Sequence, residues 1–165
     1  MSISGLEKPD VWCKARDFAV RVNKEILPLF PPEEKWALNH QLWRSSQSIP
    51  ANIAEGHGRY YFQDNVRFCY IARGSLEETL SHLVYAQKVG YVSEMLYKSF
   101  ALDGENLNRL IIGYIGFLKK SKQGANEPGA NYAVREVSRD YIIEDDSRQQ
   151  HRISNNEYRI PKELL

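Results

Sequence analysis

Apolar side chains recur at alternating steps of three and four through most of this chain, the spacing that lines one face of a helix. Trp12, Ala15, Ala19, Val22, Ile26 and Leu29 form the first such seam. Pro28 and then Pro31-Pro32 close it, because proline lacks an amide hydrogen and disfavours helix just before itself. A second helix opens at Pro32-Glu33-Glu34, where early proline and first-turn acids suit the helix dipole. Its seam is Leu38, Leu42, Ser45, Ile49, Asn52 and Gly56, with Pro50 inside it predicting a kink or a freed carbonyl. A third helix is predicted over residues 63–90, with Cys69, Ala72, Leu76, Leu83 and Ala86 on one stripe and Phe68, Ile71 and Ser75 widening it. Gly90 stops it and Ser93 caps the next. The fourth helix carries Leu96, Phe100, Leu107, Leu110, Tyr114 and Phe117, flanked by Ile111, Ile115 and Leu118. Asp103-Gly104 interrupts that stripe and predicts a kink or a break, and Lys119, Lys120 and Lys122 suit its C-terminal dipole. No segment alternates as a strand does. The pattern predicts an all-α fold, an antiparallel up-down-up-down four-helix bundle with short links.

The pattern fails after residue 124. Residues 125–165 mix Gly, Pro, Asn and charges around small apolar islands such as Tyr141-Ile142-Ile143, too little surface for a second core. Two units are therefore expected: a bundle over 1–124 and a polar, largely flexible C-terminal tail over 125–165. A short helix or strand around 134–143 is the alternative. Charge divides at the same place. Residues 1–124 hold 16 basic and 13 acidic side chains, net +3, and 125–165 hold 6 and 8, net −2.

Composition changes this picture little. The 165 residues are 42% hydrophobic, enough for one core without disulfide or metal staples. No run is long and apolar enough for a membrane span, and the first residues lack a secretory leader's pattern. With Cys13 and Cys69 alone and far apart, a cytoplasmic protein is expected. Catalytic chemistry has few footholds. Glu78 and His82 stand four apart and Glu55 and His57 two apart, without the repeated Glu-x-x-His of a bundle metal site. They read better as surface or satisfied polar groups, and the cysteines as small hydrophobes. No nucleophile–base set and no phosphate-binding glycine loop stands out. Neither an enzyme, a metal site nor a cofactor is expected.

The informative stretch is Arg44-Ser45-Ser46-Gln47-Ser48-Ile49-Pro50-Ala51-Asn52-Ile53-Ala54-Glu55-Gly56, which sets small and polar residues into an amphipathic seam. Small side chains let helices approach, and polar seam residues set register at some cost in stability. Its counterpart is Ala72-Arg73-Gly74-Ser75-Leu76-Glu77-Glu78. A hairpin turning near residue 60 brings Arg44 and Gln41 near Ser75 and Glu78, as for a cross-helix ion pair. Glu55 precedes Arg59 by four, a favourable order. Arg44, Ser45, Asn52, Glu55, Arg59, Arg73, Ser75 and Glu78 thus form a candidate structural polar network, preferred here over a ligand site.

These residues carry a resemblance. Gln41-Leu42-Trp43-Arg44, then Ser48-Ile49-Pro50-Ala51-Asn52-Ile53-Ala54-Glu55-Gly56 and Arg59, resemble the signature of bacterial four-helix-bundle proteins encoded within 23S rRNA intervening sequences. Phe68 with Ala72-Arg73-Gly74-Ser75-Leu76-Glu77-Glu78 is similar to that family's second signature, and Val11-Trp12-x-x-Ala15 to its opening. Trp43 and His57 depart from the pattern. The likeness spans residues 6–122 and leaves the tail outside.

The resemblance implies an up-down-up-down bundle assembling as a ring of about five copies, in line with the closed symmetry of most oligomers. It implies no enzymatic activity. Ribosomal or RNA association is the role commonly presumed for the family. A similar bundle serves diversity-generating retroelements, an analogy of fold alone. The first expectation for function is therefore an RNA-associated or ribonucleoprotein-associated homo-oligomer. Its candidate nucleic-acid contacts are Arg16, Arg21, Lys24, Arg67, Lys119, Lys120 and Lys122. Five copies of a +3 body would carry roughly +15, a field able to attract phosphates. The competing expectation is a scaffold that recruits a protein through its oligomer surface or tail, using exposed members of its 10 Tyr, 6 Phe and 3 Trp.

Overall fold

The computed structural model describes residues 10–122, and within them every regular element is helical. The tail expectations, for 125–165 and for 134–143, lie outside the described residues. Helix α1 (Asp10–Arg21) passes directly into a π-helical turn (Val22–Ile26) and a 3-10 turn (Leu27–Leu29). Pro28 sits inside that last turn, so the proline tightens the helix before ending it. The second helix does not open at Pro32. Pro32–Trp36 is a separate 3-10 helix, and Ala37 (φ −111°, ψ −114°) breaks the backbone before α2 (Leu38–His57). Proline and acids favour any first helical turn, long or short, so the signal was local. Glu34 still serves α2, since its Oε2 accepts the Leu38 amide at 3.1 Å.

Helix α2 runs through Pro50, whose missing amide deprives the Ser46 carbonyl of its usual helical donor. A short turn leads to α3 (Phe62–Lys88). Gly90, at φ 86°, ends it with a Tyr91 amide bond to the Ala86 carbonyl at 2.9 Å. Ser93 Oγ accepts the Leu96 amide at 3.3 Å and caps α4 (Glu94–Ser121). No break occurs at Asp103-Gly104. Gly104 is buried against Leu80, where an added Cβ would stand 2.7 Å from Leu80 Cδ2. The glycine marks a close approach of α3 and α4.

Each helix packs on the next and α4 returns to α1, while no Cα atoms of the diagonal pairs α1/α3 and α2/α4 come within 8 Å. This is the square cross-section of an antiparallel four-helix bundle. Its core holds Val11, Ala15, Phe18, Val22 and Ile26 from the first segment, and Leu42, Ile49 and Ile53 from α2. Cys69, Ala72, Leu76 and Leu83 of α3 meet Phe100, Leu107, Ile111, Ile115 and Leu118 of α4. Two seams are rotated from the sequence reading. Val11 and Phe18 replace Trp12, which is half-buried, and Leu29, which is 47% exposed. In α4 the buried line is Ile111, Ile115 and Leu118, leaving Phe117 64% exposed. Ile71 of α3 also faces solvent. Among the described residues no helix is long and apolar enough to cross a membrane.

Candidate nucleic-acid interface

The polar residues in the α2/α3 seam form two short relays. Thr79, fully buried on α3, lies with its Oγ1 3.0 Å from Ser45 Oγ, and Ser45 donates to the Leu42 carbonyl at 3.2 Å. One turn away Asn52 Nδ2 donates to Ser48 Oγ at 2.9 Å, Ser48 Oγ meets Ser75 Oγ at 2.8 Å, and Ser75 donates to the Ile71 carbonyl at 3.1 Å. Every hydroxyl in both relays has a partner, which is what burial demands. Their role is to hold two helices in register.

The structure redraws the predicted network. Ser45 and Ser75 are in it; Asn52 joins through Ser48 on its own helix and does not cross to α3. Thr79 and Ser48 join it from outside the predicted set, Ser48 from within the informative stretch of α2 and Thr79 four residues after Ser75 on the same stripe. Arg44 does not pair with Glu78. It lies one position off the seam and points to solvent, while Glu78 Oε1 is 3.6 Å from His82 Nε2 on its own helix. Arg73 makes no hydrogen bond or ion pair with described residues. Glu55 and Arg59 do pair, at 2.6 Å, with the guanidinium also 5.1 Å from the Phe68 ring centre.

The predicted cations fall in two groups. Arg67, Lys119, Lys120 and Lys122 gather where α3 begins and α4 ends, and Lys119 Nζ donates to Tyr70 OH at 3.2 Å. Arg16, Arg21 and Lys24 follow α1. Arg21 is engaged: it bonds Glu25 at 2.8 Å, pairs with Asp103 of α4, and lies 4.5 Å from the Phe100 ring centre. The hydrogen bond with Glu25 holds the Arg21 pKa above its usual value and lowers that of Glu25. Arg21 is thus a tie between α1 and α4. Lys24 makes no ion pair with any described residue.

A groove of about 600 Å3 opens on the outside of the α1/α2 pair. Ala19, Pro50, Ala51 and Ala54 make its floor, Trp12 and Arg16 one wall, and Asn23, Lys24 and Gln47 supply polar atoms. The Arg16 guanidinium lies 5.2 Å from the Trp12 ring centre and also bonds Asp17 at 2.8 Å. Continuing the Gln47 edge of α2 toward its start, His40 stacks on Trp43 at 5.8 Å and approaches Trp36 at 6.3 Å. Among the described residues no group of three His, Cys, Asp or Glu side chains could hold a metal ion. Burial pushes the Cys69 thiol up to about 12, leaving it protonated and inert at neutral pH.

A family model described as 23S rRNA-intervening sequence protein matches residues 7–113. Among solved structures, the chain is similar to a protein with unknown function from the S23 ribosomal protein family of Bacteroides thetaiotaomicron. The two are 28% identical with a TM-score of 0.59, and the match covers 64% of this chain and 97% of that one. No curated protein matches the chain.

Proposed function

The chain belongs to the 23S rRNA-intervening sequence protein family, and on that premise we propose a non-catalytic bundle that associates with RNA or ribosomal components as a homo-oligomer. The observation that carries this reading is the family match itself, which spans nearly the whole bundle. The name of the similar solved protein, from an S23 ribosomal protein family, supports the same direction. The non-catalytic part is supported by the seam, whose hydroxyls are consumed in holding helices together. Several cations without an ion pair to a described carboxylate, Lys24, Lys35, Arg44, Arg67, Lys120 and Lys122 included, suit phosphate contacts. The scaffold reading has one specific support: α4 exposes Leu102, Ile112 and Phe117 on its outer side. That face serves self-assembly as readily as recruitment of a different protein.

The test is direct. Purified full-length protein should shift its absorbance ratio after ribonuclease treatment, and titration with ribosomal RNA should show affinity falling steeply between two salt concentrations. Absent or salt-insensitive binding would favour the scaffold reading.

A further inference from the structure

We propose that the strip made by Trp36, His40, Trp43 and the α1/α2 groove beside them binds single-stranded RNA, with bases stacking on the rings and phosphates meeting Lys24, Lys35 and Arg44. This rests on the RNA reading above and adds the site and the form of RNA it takes.

The chain has 3 tryptophans, and all of them lie on this strip. Large aromatic rings are normally placed in a core, where their area stabilises most. None of these is a buried core residue, and only Trp12 packs against the core. Trp36 is 78% exposed, Trp43 is partly exposed, and Trp12 forms a wall of the groove. Trp36, His40 and Trp43 form a ladder with centroid distances of 6.3 and 5.8 Å, the latter pair within 25° of parallel. Such flat, solvent-facing rings offer platforms for unpaired bases, which stack without regard to sequence.

Charge accompanies the rings. The Lys35 ammonium lies 5.2 Å from the Trp36 ring centre, and Arg44 follows Trp43 along α2. Lys24 opens onto the groove. None of these three makes an ion pair with a described residue. No carboxylate lines the groove; Asp17, beside Arg16, and Glu25, beside Lys24, are paired with Arg16 and Arg21. At the far end Glu34 is occupied by the Leu38 amide and the Tyr91 hydroxyl at 3.2 Å. The strip therefore presents rings and cations together, complementary to a polyanion with flat bases. The groove volume falls in the roughly 300–1,000 Å3 range that holds small ligands, enough for a nucleotide beside Trp12. A duplex fits poorly, because its bases are already stacked and paired.

Tryptophan emission of the full-length protein reports on this strip alone, so it provides the probe. Titration with a single-stranded uridine-rich 12-mer should quench emission, and a duplex of the same length should not. Trp36→Ala and Trp43→Ala should each weaken 12-mer affinity about ten-fold, a stacked base being worth 1–3 kcal/mol. Both should keep the wild-type melting transition. Should Trp43→Ala lose its fold, Lys24→Glu and Lys35→Glu at exposed positions must weaken binding in its place. Ile71→Ala, at a solvent-facing position on α3, should leave affinity unchanged. If the 12-mer binds with unchanged emission and the strip variants bind like wild type, the strip is overturned while RNA association stands. No binding of any RNA would remove both. Strip variants that change the mass in light scattering but not RNA affinity would make this a subunit contact and overturn the proposal.

Discussion

A Cβ added at Gly56 would stand 2.8 Å from Asn65 Oδ1, 2.9 Å from Phe68 Cβ and 3.1 Å from the Asn65 carbonyl. Backbone and a Cβ cannot swing aside, so Gly56→Ala should cost about 1–3 kcal/mol through overpacking. At Gly113 an added Cβ meets nothing within 4 Å, and the residue lies inside α4. Gly113→Ala should therefore stabilise by about 0.5–1 kcal/mol, since alanine loses less freedom in a helix. Thermal melts of the two variants should move in opposite directions; a shared sign would contradict the packing argument. Cys69 makes a second prediction at this scale. The unfolded chain releases this thiol proton near about pH 8.5, whereas the folded chain holds it to about 12, so between them the unfolded state binds fewer protons. Its stabilising effect is whole below about pH 8.5 and falls away toward pH 12, by at most about 1.4 kcal/mol per pH unit. Burial of Tyr114 acts in the same direction. Urea unfolding of wild type and Cys69→Ala across this range should show the shallower decline in the variant, and parallel curves would refute the assignment.

Between elements, the α2/α3 pair is where polar contacts replace apolar ones. A double-mutant cycle of Ser45→Ala and Thr79→Val should give a coupling of about 0.5–1.5 kcal/mol, the net worth of a buried neutral hydrogen bond. The same cycle on Arg44 and Glu78 should give none, because Arg44 points to solvent and Glu78 sits near His82. Reversal of those two outcomes would mean that α2 has turned by one position relative to this structure. The relays also explain why this seam tolerates serine and threonine at all. Each hydroxyl returns its proton to a carbonyl of its own helix or to a hydroxyl across the interface, so none is left buried and unpaired.

For the whole molecule, the outer side of α4 carries Leu102, Ile112 and Phe117, with Gly113 and Gly116 between them offering no side chain. Phe117 is 64% exposed and touches the chain's own core little, so Phe117→Glu should leave helical circular dichroism and folding intact. If a subunit covers this face, the same change should shift light scattering to a smaller species. A wild-type chain that is already monomeric, or an assembly indifferent to Phe117→Glu, would remove α4 from the proposed interface.

The order of four helices, the stop at Gly90, the cap at Ser93 and the signature around Pro50 could be read from the chain, because each depends on neighbours within one or two turns. Which way each helix is turned could not. Trp12 beside Val11 and Leu110 beside Ile111 offer alternative stripes about 100° apart, and only packing against the other helices buries Val11 and Ile111. Residue order likewise suggested that Arg44 would cross to Glu78, whereas the actual register joins Ser45 to Thr79 and Ser48 to Ser75. Trp12 and Trp43 sit 31 residues apart with no motif linking them, and they share one surface only because α1 folds back along α2. Periodicity is a property of a single helix; the polar seam and the aromatic strip are properties of two, and that is why tertiary structure decided them.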